Sequence, residues 1–396
     1  MTNGKRFQGF KVSRFRGLLF VVWVLVLVSS SFASSSLTDN TISLGYIKAG
    51  SSEVGAISWQ PDFRLGMWGV GLDINIPVGN NKPEGYDTVV FRYAEFNDGM
   101  KGLRYGLLDG YTWGHGLLMK NYSSRNAGPI AQNNNQTAFK GYFNAERVGI
   151  EFFTTWSHLY GLRLTERAHQ MLILGQSYIS DADGVSVKNT DGTTTTYPSV
   201  SGLAIDASVP LPMNFIGYTE TAALMTSGNS AIGSTIGINW GFNALAFAAL
   251  FDVGYRVNGK NFVPGYFNGG YETNPINLIS YEASSKEKNG YIAELNLLFS
   301  TLLQTDVIYE YYNGSDAVLN GKASAKYDKY TASAYFEQPK FTDFRSLNLE
   351  QGAIIGMTVG YDINDNMTLF AHYKKAYDPN VGQVIESQYY EVKLGF

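Results

Sequence analysis

The chain has no cysteine, and only 16% of its 396 residues are charged. The first absence excludes disulfides, thiolate catalysis and cysteine-built metal sites, although it does not choose a compartment. No G-x-S-x-G elbow is present to carry a hydrolase nucleophile, and the four histidines, His115, His158, His169 and His372, make no zinc-ligand spacing. They read as solvated or lumenal side chains. Long apolar runs are equally scarce: after the first thirty residues, none reaches the roughly 18 that a membrane-crossing helix needs. What the chain has in quantity is Gly (43), Tyr (27) and Phe (24), with mean hydropathy close to zero. Such a mixture suits a sheet that shows apolar side chains on one face and polar ones on the other, with no conventional dry core.

Lys5, Arg6, Lys11, Arg14 and Arg16 precede the apolar stretch Leu18–Val28, and Ser31-Phe32-Ala33 follows with small residues at its ends. This order is that of a secretory signal peptide, so residues 1–33 are expected to be removed, leaving 34–396 as one body. A lipoprotein leader is excluded, because no cysteine follows. Removing five of the 30 basic residues leaves 25 against 34 acidic ones, a net of −9, and nucleic acid is not an expected partner. A mature chain without a spanning helix can enter a membrane only as a closed barrel, in which every backbone group is paired.

Period-two alternation recurs along the chain. Near the end, Tyr390, Val392, Leu394 and Phe396 oppose Tyr389, Glu391, Lys393 and Gly395; upstream, Met367, Leu369, Ala371 and Tyr373 oppose Thr368, Phe370, His372 and Lys374. Leu303, Thr305, Val307 and Tyr309 alternate with Gln304, Asp306 and Glu310, and Val148, Ile150 and Phe152 with Arg147 and Glu151. Short turns near 144–146, 210–212, 327–329 and 364–366 interleave with longer polar segments at 122–136, 181–199, 256–288, 338–351 and 375–386. The fold class is therefore all-β: a closed antiparallel transmembrane β-barrel of about eighteen strands (range sixteen to twenty), with short periplasmic turns and long extracellular loops.

The phrases PDFRLGMWGVGLDINIP, FRYAEF, GLRYGLLDGYTWGHGLLMKNYS, LYGLRLTER and LILGQSYISDADG between Pro61 and Asp183 resemble a group of large, mostly uncharacterised bacterial outer-membrane, porin-like barrels. The terminal Tyr390, Val392, Leu394 and Phe396 resemble the signal read by the outer-membrane assembly machinery. The resemblance implies an outer-membrane location and names no solute.

Two further motifs weaken in context. Gly254 to Asn261 nearly matches a phosphate-binding loop, but it lacks the Ser or Thr for magnesium and leads into a loop with Pro264, Gly265, Gly269 and Gly270 in place of a helix. Asp181-x-Asp183-Gly184 could open a calcium loop, but its twelfth position is Gly192. No cofactor, metal or catalytic residue is expected.

Strand parity points one set of charges inward. Arg92, Arg104, Lys140, Arg147, Arg163 and Arg167, with Asp73 and Glu151, line the N-terminal half; Glu294, Asp306, Glu310, Lys322, Lys326, Glu337, Lys374, Glu391 and Lys393 line the rest. Charged rings of this kind set ion preference in pores, unless they pair across strands and only fill the lumen. The function expected is passive or weakly selective passage of small hydrophilic solutes; the alternative is a structural or adhesive surface barrel with a plugged lumen, whose 256–288 loop meets a partner. The lipid bilayer and the assembly machinery are the remaining partners, and homo-oligomerisation is left open.

Overall fold

The computed structural model describes residues 41–49, 52–78, 89–125, 135–169, 171–188, 193–272, 275–276, 278, 286–300, 302–342, 353–378 and 383–395. The leader and Phe396 lie outside these residues.

Along the chain, β1 (Thr41–Ala49) and β2 (Ser52–Gln60) are followed by β3 (Asp62–Leu65), which prolongs β2 past Pro61 along the same neighbour, β4 (Trp68–Val78). Next come β5 (Val89–Asn97), β6 (Lys101–Gly106), the short β7 (Tyr111–Trp113) and β8 (Met119–Tyr122), then β9 (Ala138–Asn144), β10 (Val148–Thr155), β11 (Leu159–His169) and β12 (Leu172–Asp181). The hairpin β13 (Ser186–Lys188) and β14 (Thr194–Thr196) precedes β15 (Val200–Leu211), β16 (Phe215–Thr226), β17 (Asn229–Ala244) and β18 (Phe247–Asn258). After the two-residue β19 (Phe267–Asn268) the chain completes β20 (Lys288–Phe299), β21 (Leu303–Tyr312), β22 (Ala317–Tyr327), β23 (Tyr330–Phe341), β24 (Ile354–Asn364), β25 (Met367–Asp378) and β26 (Gln383–Gly395).

Each long strand pairs antiparallel with the next, β6 joining β9, β12 joining β15 and β18 joining β20 across the short strands. The last strand pairs with the first, from Thr41↔Gly395 to Ala49↔Ser387. The ladder of described strands thus returns to its start. Counting β2 and β3 as one, it has twenty strand positions, two more than the central sequence expectation and at the top of its range. Two or three residues separate the strands at every connection of one rim, as at 66–67, 145–147, 245–246 and 365–366, whereas 79–88, 107–137, 182–199, 259–287 and 342–353 lie at the other. The long segments expected at 122–136, 181–199, 256–288 and 338–351 fall at that rim, whereas most of 375–386 is strand, because Lys375–Asp378 of β25 pairs with Gln383–Glu386 of β26. The turn expected at 210–212 lies two residues later, because Pro210 and Leu211 still pair with Ile216 and Phe215.

Among the described side chains the outward parity is predominantly apolar, with Gln176, Thr219 and Thr221 as polar exceptions. Leu162, Leu164, Leu203, Ile205, Ile236, Val359 and Leu369 are exposed there, Ile236 to 64%. A soluble chain rarely exposes apolar patches beyond a few hundred Å², so this belt requires an apolar surrounding. At its short-turn border, aromatic rings gather: Trp68 on Phe96 at 5.0 Å, Phe215 on Trp240 at 6.0 Å, Trp240 on Phe242 at 5.9 Å and Tyr330 on Tyr361 at 5.2 Å. Rings with one apolar body collect in this way at a bilayer interface. Tyr390 is exposed on the same outer parity, and its strand partners Val392 and Leu394 are half-buried.

Candidate functional site: a half-filled lumen

The molecule's hydrophobic core lies inside the ring. Two connections of the long-loop rim turn inward over their described residues 107–125 and 259–272. Their strands meet in a small sheet, where Phe267 and Asn268 of β19 lie parallel to Met119 and Lys120 of β8. Leu117, Leu118, Met119 and Tyr122 of the first, and Phe262 and Phe267 of the second, are almost fully buried against inward side chains including Phe153, Leu159, Ile179 and Val200. Burying each such side chain contributes about 1.5–3 kcal/mol. Of the 256–288 segment, which the alternative reading has meeting a partner, Phe262, Tyr266, Phe267 and Tyr271 pack inside the ring, because they would otherwise stand in water, and 279–285 lie outside the described residues.

Carboxylates of the wall fasten the first loop across the lumen. Tyr111 and Trp113 donate to Glu151 on β10, the indole at 3.4 Å. On β16, Glu220 accepts the backbone N–H of His115 at 2.7 Å and of Leu117 at 3.2 Å. Lys120 pairs with Glu294 on β20, and Arg125 with Asp73 on β4 at 3.0 Å. The tight bend at His115 needs glycine on both sides, since Gly114 and Gly116 have φ of +60° and +79°, and a Cβ on Gly114 would lie 2.9 Å from a Glu220 oxygen. His115 stacks on Tyr218 at 3.8 Å and meets Ser208 at 3.0 Å; burial pushes its imidazole below the ordinary range. The second loop is tied by Tyr271 to Asp181 at 2.6 Å and by Tyr122 to Glu272. Burial raises the Glu272 carboxyl. Asp181 thus serves as an acceptor for Tyr271 and for the Gly184 N–H, while Asp183 faces His158 at 2.6 Å.

The predicted pore-lining residues divide into three groups. Arg92, Arg104, Lys140, Glu151 and Arg163 face inward but are engaged: Arg92 with Asp62 at 3.0 Å, Arg104 with Glu95 at 3.0 Å, Lys140 over the Tyr111 ring at 3.9 Å, and Arg163 with Asp206 through two bonds of 2.7 and 3.0 Å. Arg92 lies at a bulge, where Tyr93 pairs with Gly71 but Phe91 with Leu72, and it still reaches two lumenal acids, Asp62 and Asp73. Arg147 and Arg167 are exposed at the short-turn rim, Arg147 within the 145–147 turn itself, so parity brings them into the set but their position leaves them at the rim. Asp306, Glu310 and Lys322 face inward on β21 and β22; Glu310 lies 3.6 Å from Arg256, while Asp306 and Lys322 are strand neighbours. Sequence reasoning missed Asp62, Glu95, Asp206 and Glu220. The signal was available for Asp206 and Glu220, lone acids at inward parity in otherwise apolar strands. A cavity of about 190 Å³ lies on the short-turn side between Glu95, Arg104, Lys140 and Tyr142. Gly254 pairs within β18, so its phosphate-loop resemblance has no loop to act in.

No protein-family model matches the sequence, and no curated protein matches it. Among solved structures the chain is similar to a BenF-like porin from Pseudomonas fluorescens Pf-5 (8% identity, 90% of this chain and 98% of that one, TM-score 0.44). It is also similar to Pseudomonas aeruginosa OccK5 (OpdH) (9% identity, 90% and 97%, TM-score 0.43) and to the outer membrane protein opdK of the same organism (8% identity, 90% and 97%, TM-score 0.39).

Proposed function

We propose that this protein is a bacterial outer-membrane channel that passes small hydrophilic solutes, and that their route runs beside the in-folded loops along the inner face of β20–β26. The observation that carries this reading is the contrast between the two sides of the lumen. Inward residues of β10–β18 such as Phe153, Arg163, Ile179, Asp206, Glu220 and Arg256 are buried, whereas Asn320, Lys322, Ser324, Glu337, Thr358, Lys374 and Lys393 on the other side are half-buried or exposed and polar. A ring of twenty strands is wide enough to leave an aqueous passage after two loops have entered it. The apolar outer belt, the aromatic border and the ladder that returns to its start support the membrane location, with the short turns on the periplasmic side. The leader and the C-terminal signal belong to the same reading, through export and assembly. The described residues contain no cluster of His, Asp and Glu that could hold a metal, and transport of this kind needs no covalent chemistry.

The buried loops also favour a second reading, a plugged surface barrel. Reconstitution in a planar bilayer separates the two. Discrete conductance steps, with a cut-off in a size series of neutral polymers, are the expected outcome; a silent, correctly folded protein selects the plugged barrel.

A further inference from the structure

We infer that the inner face of β23–β26 is a binding track for neutral carbohydrate rings. Four lumenal aromatic side chains lie there. Tyr335 crosses Gly356 on the neighbouring strand, where an added Cβ would come within 1.9 Å of its ring, and Phe370 crosses Gly360 in the same way, at 2.5 Å. A ring that lies over a bare backbone has one face on the wall and turns the other to the lumen. His372 continues the row, 5.9 Å from Phe370 and 4.9 Å from Tyr389, with interplanar angles of 30° and 28°. Its own position is fixed from two sides, by Thr358 at 2.9 Å and Glu391 at 3.2 Å.

The charges around this row identify the occupant. Three carboxylates, Glu337, Asp362 and Glu391, share the face with two ammonium groups, Lys374 and Lys393, and a third, Lys326 on the neighbouring β22, lies 3.6 Å from Asp362. The balance gives no preference for a net anion or cation. A flat aromatic face, electron-rich at its centre, attracts the C–H-lined face of a sugar ring. The flanking carboxylates, hydroxyls and ammonium groups offer both acceptors and donors to sugar hydroxyls at the ring edge. A benzoate-like anion would find the same stacking, but the mixed charges would give its carboxylate no net attraction to offset its desolvation.

The inference rests on the channel reading only for the route by which a sugar arrives, so binding and conduction are measured separately. Maltotriose is titrated calorimetrically into the folded full-length chain in detergent, with benzoate as the anionic control, and the same samples are examined for current block in planar bilayers. Millimolar binding of maltotriose is expected, weakened about tenfold in Phe370→Ala and in Tyr335→Ala, restored in Phe370→Tyr, and unchanged in Arg104→Gln. Absence of sugar binding overturns the inference, as does equal binding by the wild type and both alanine variants, or tighter binding of benzoate. Binding by a non-conducting protein leaves the track standing and removes the channel reading; conduction with no binding removes the track alone.

Discussion

The two sides of the lumen are made from the same period-two strands and hold opposite contents. On β10–β18 the inward positions carry Phe153, Ile179, Val200, Ala204 and Leu224, a row that would be misplaced against water and is covered by the in-folded loops. On β20–β26 those positions carry Asn296, Lys322, Ser324, Thr358, Lys374 and Lys393, which need no cover. Side-chain parity fixes only which residues point inward. Whether they meet a plug or solvent depends on their polarity, and that asymmetry makes the lumen eccentric.

The largest effect should come from removing the cover. Excising 109–121 in favour of a short glycine linker should raise single-channel conductance several-fold and leave hydrophobic inward residues of β10–β18 in water, with lower resistance to heat in detergent. An unchanged conductance would show that the loops lie outside the limiting section.

A second test compares charges on the two sides. Arg163→Ala leaves Asp206 buried without its partner, a loss of about 3–5 kcal/mol for a buried pair, whereas Lys322→Ala, on the polar side, should stay within about 0.5 kcal/mol. Urea unfolding in micelles reads both. Equal midpoints for the two variants would contradict the burial contrast on which the eccentric lumen rests.

A smaller effect is expected from acid at the bend of the first loop. Burial lowers the imidazole of His115, which lies against Tyr218. The undocked loop therefore binds the proton more readily, so docking is favoured above the ordinary histidine range near 6.5 and weakens as pH falls below it. Channel noise or loop protection from protease should rise below that pH in the wild type and change less in His115→Gln. An identical response in both would assign the acid sensitivity to another group.

Much of this was legible in the sequence, for reasons that can be named. Strand parity needs only local alternation, so Leu162, Ile236 and Leu369 could be placed outside and Arg104, Arg163 and Lys322 inside without knowing any partner. The positions of the loops followed from the polar runs between alternating segments. Their direction did not. Leu117, Leu118, Phe262 and Phe267 are buried by contacts with residues far along the chain, and no local period encodes such a contact. A clue remained in the apolar loop sequences GLLM and NFV, which are costly to leave in water. The ion pairs were hidden for a similar reason: Asp206 is 43 positions from Arg163 and Asp62 is 30 from Arg92, and only the strand order brings them together.

That hidden pairing alters the ion preference expected from the basic N-terminal set. Counting Arg92, Arg104, Arg147 and Arg163 against Asp73 and Glu151 alone suggests a positive constriction and anion preference. Asp62, Glu95 and Asp206 enter the same space, and Arg147 stands at the rim, so the local field is largely cancelled where the loops narrow the lumen. Exposed charges on the polar side then matter more, because a permeating ion passes them and bulk salt screens charges more than about 8 Å away at physiological ionic strength. Lys322 is exposed and faces inward beside Asp306. Lys322→Glu should shift the reversal potential across a salt gradient toward cations, whereas Arg104→Gln, which frees the carboxylate of Glu95 as it removes the guanidinium, should move it less if the solute path avoids that side. A strong anion preference in the wild type that Arg104→Gln abolishes and Lys322→Glu leaves intact would put the path along β5–β10 and overturn the contrast between the two sides.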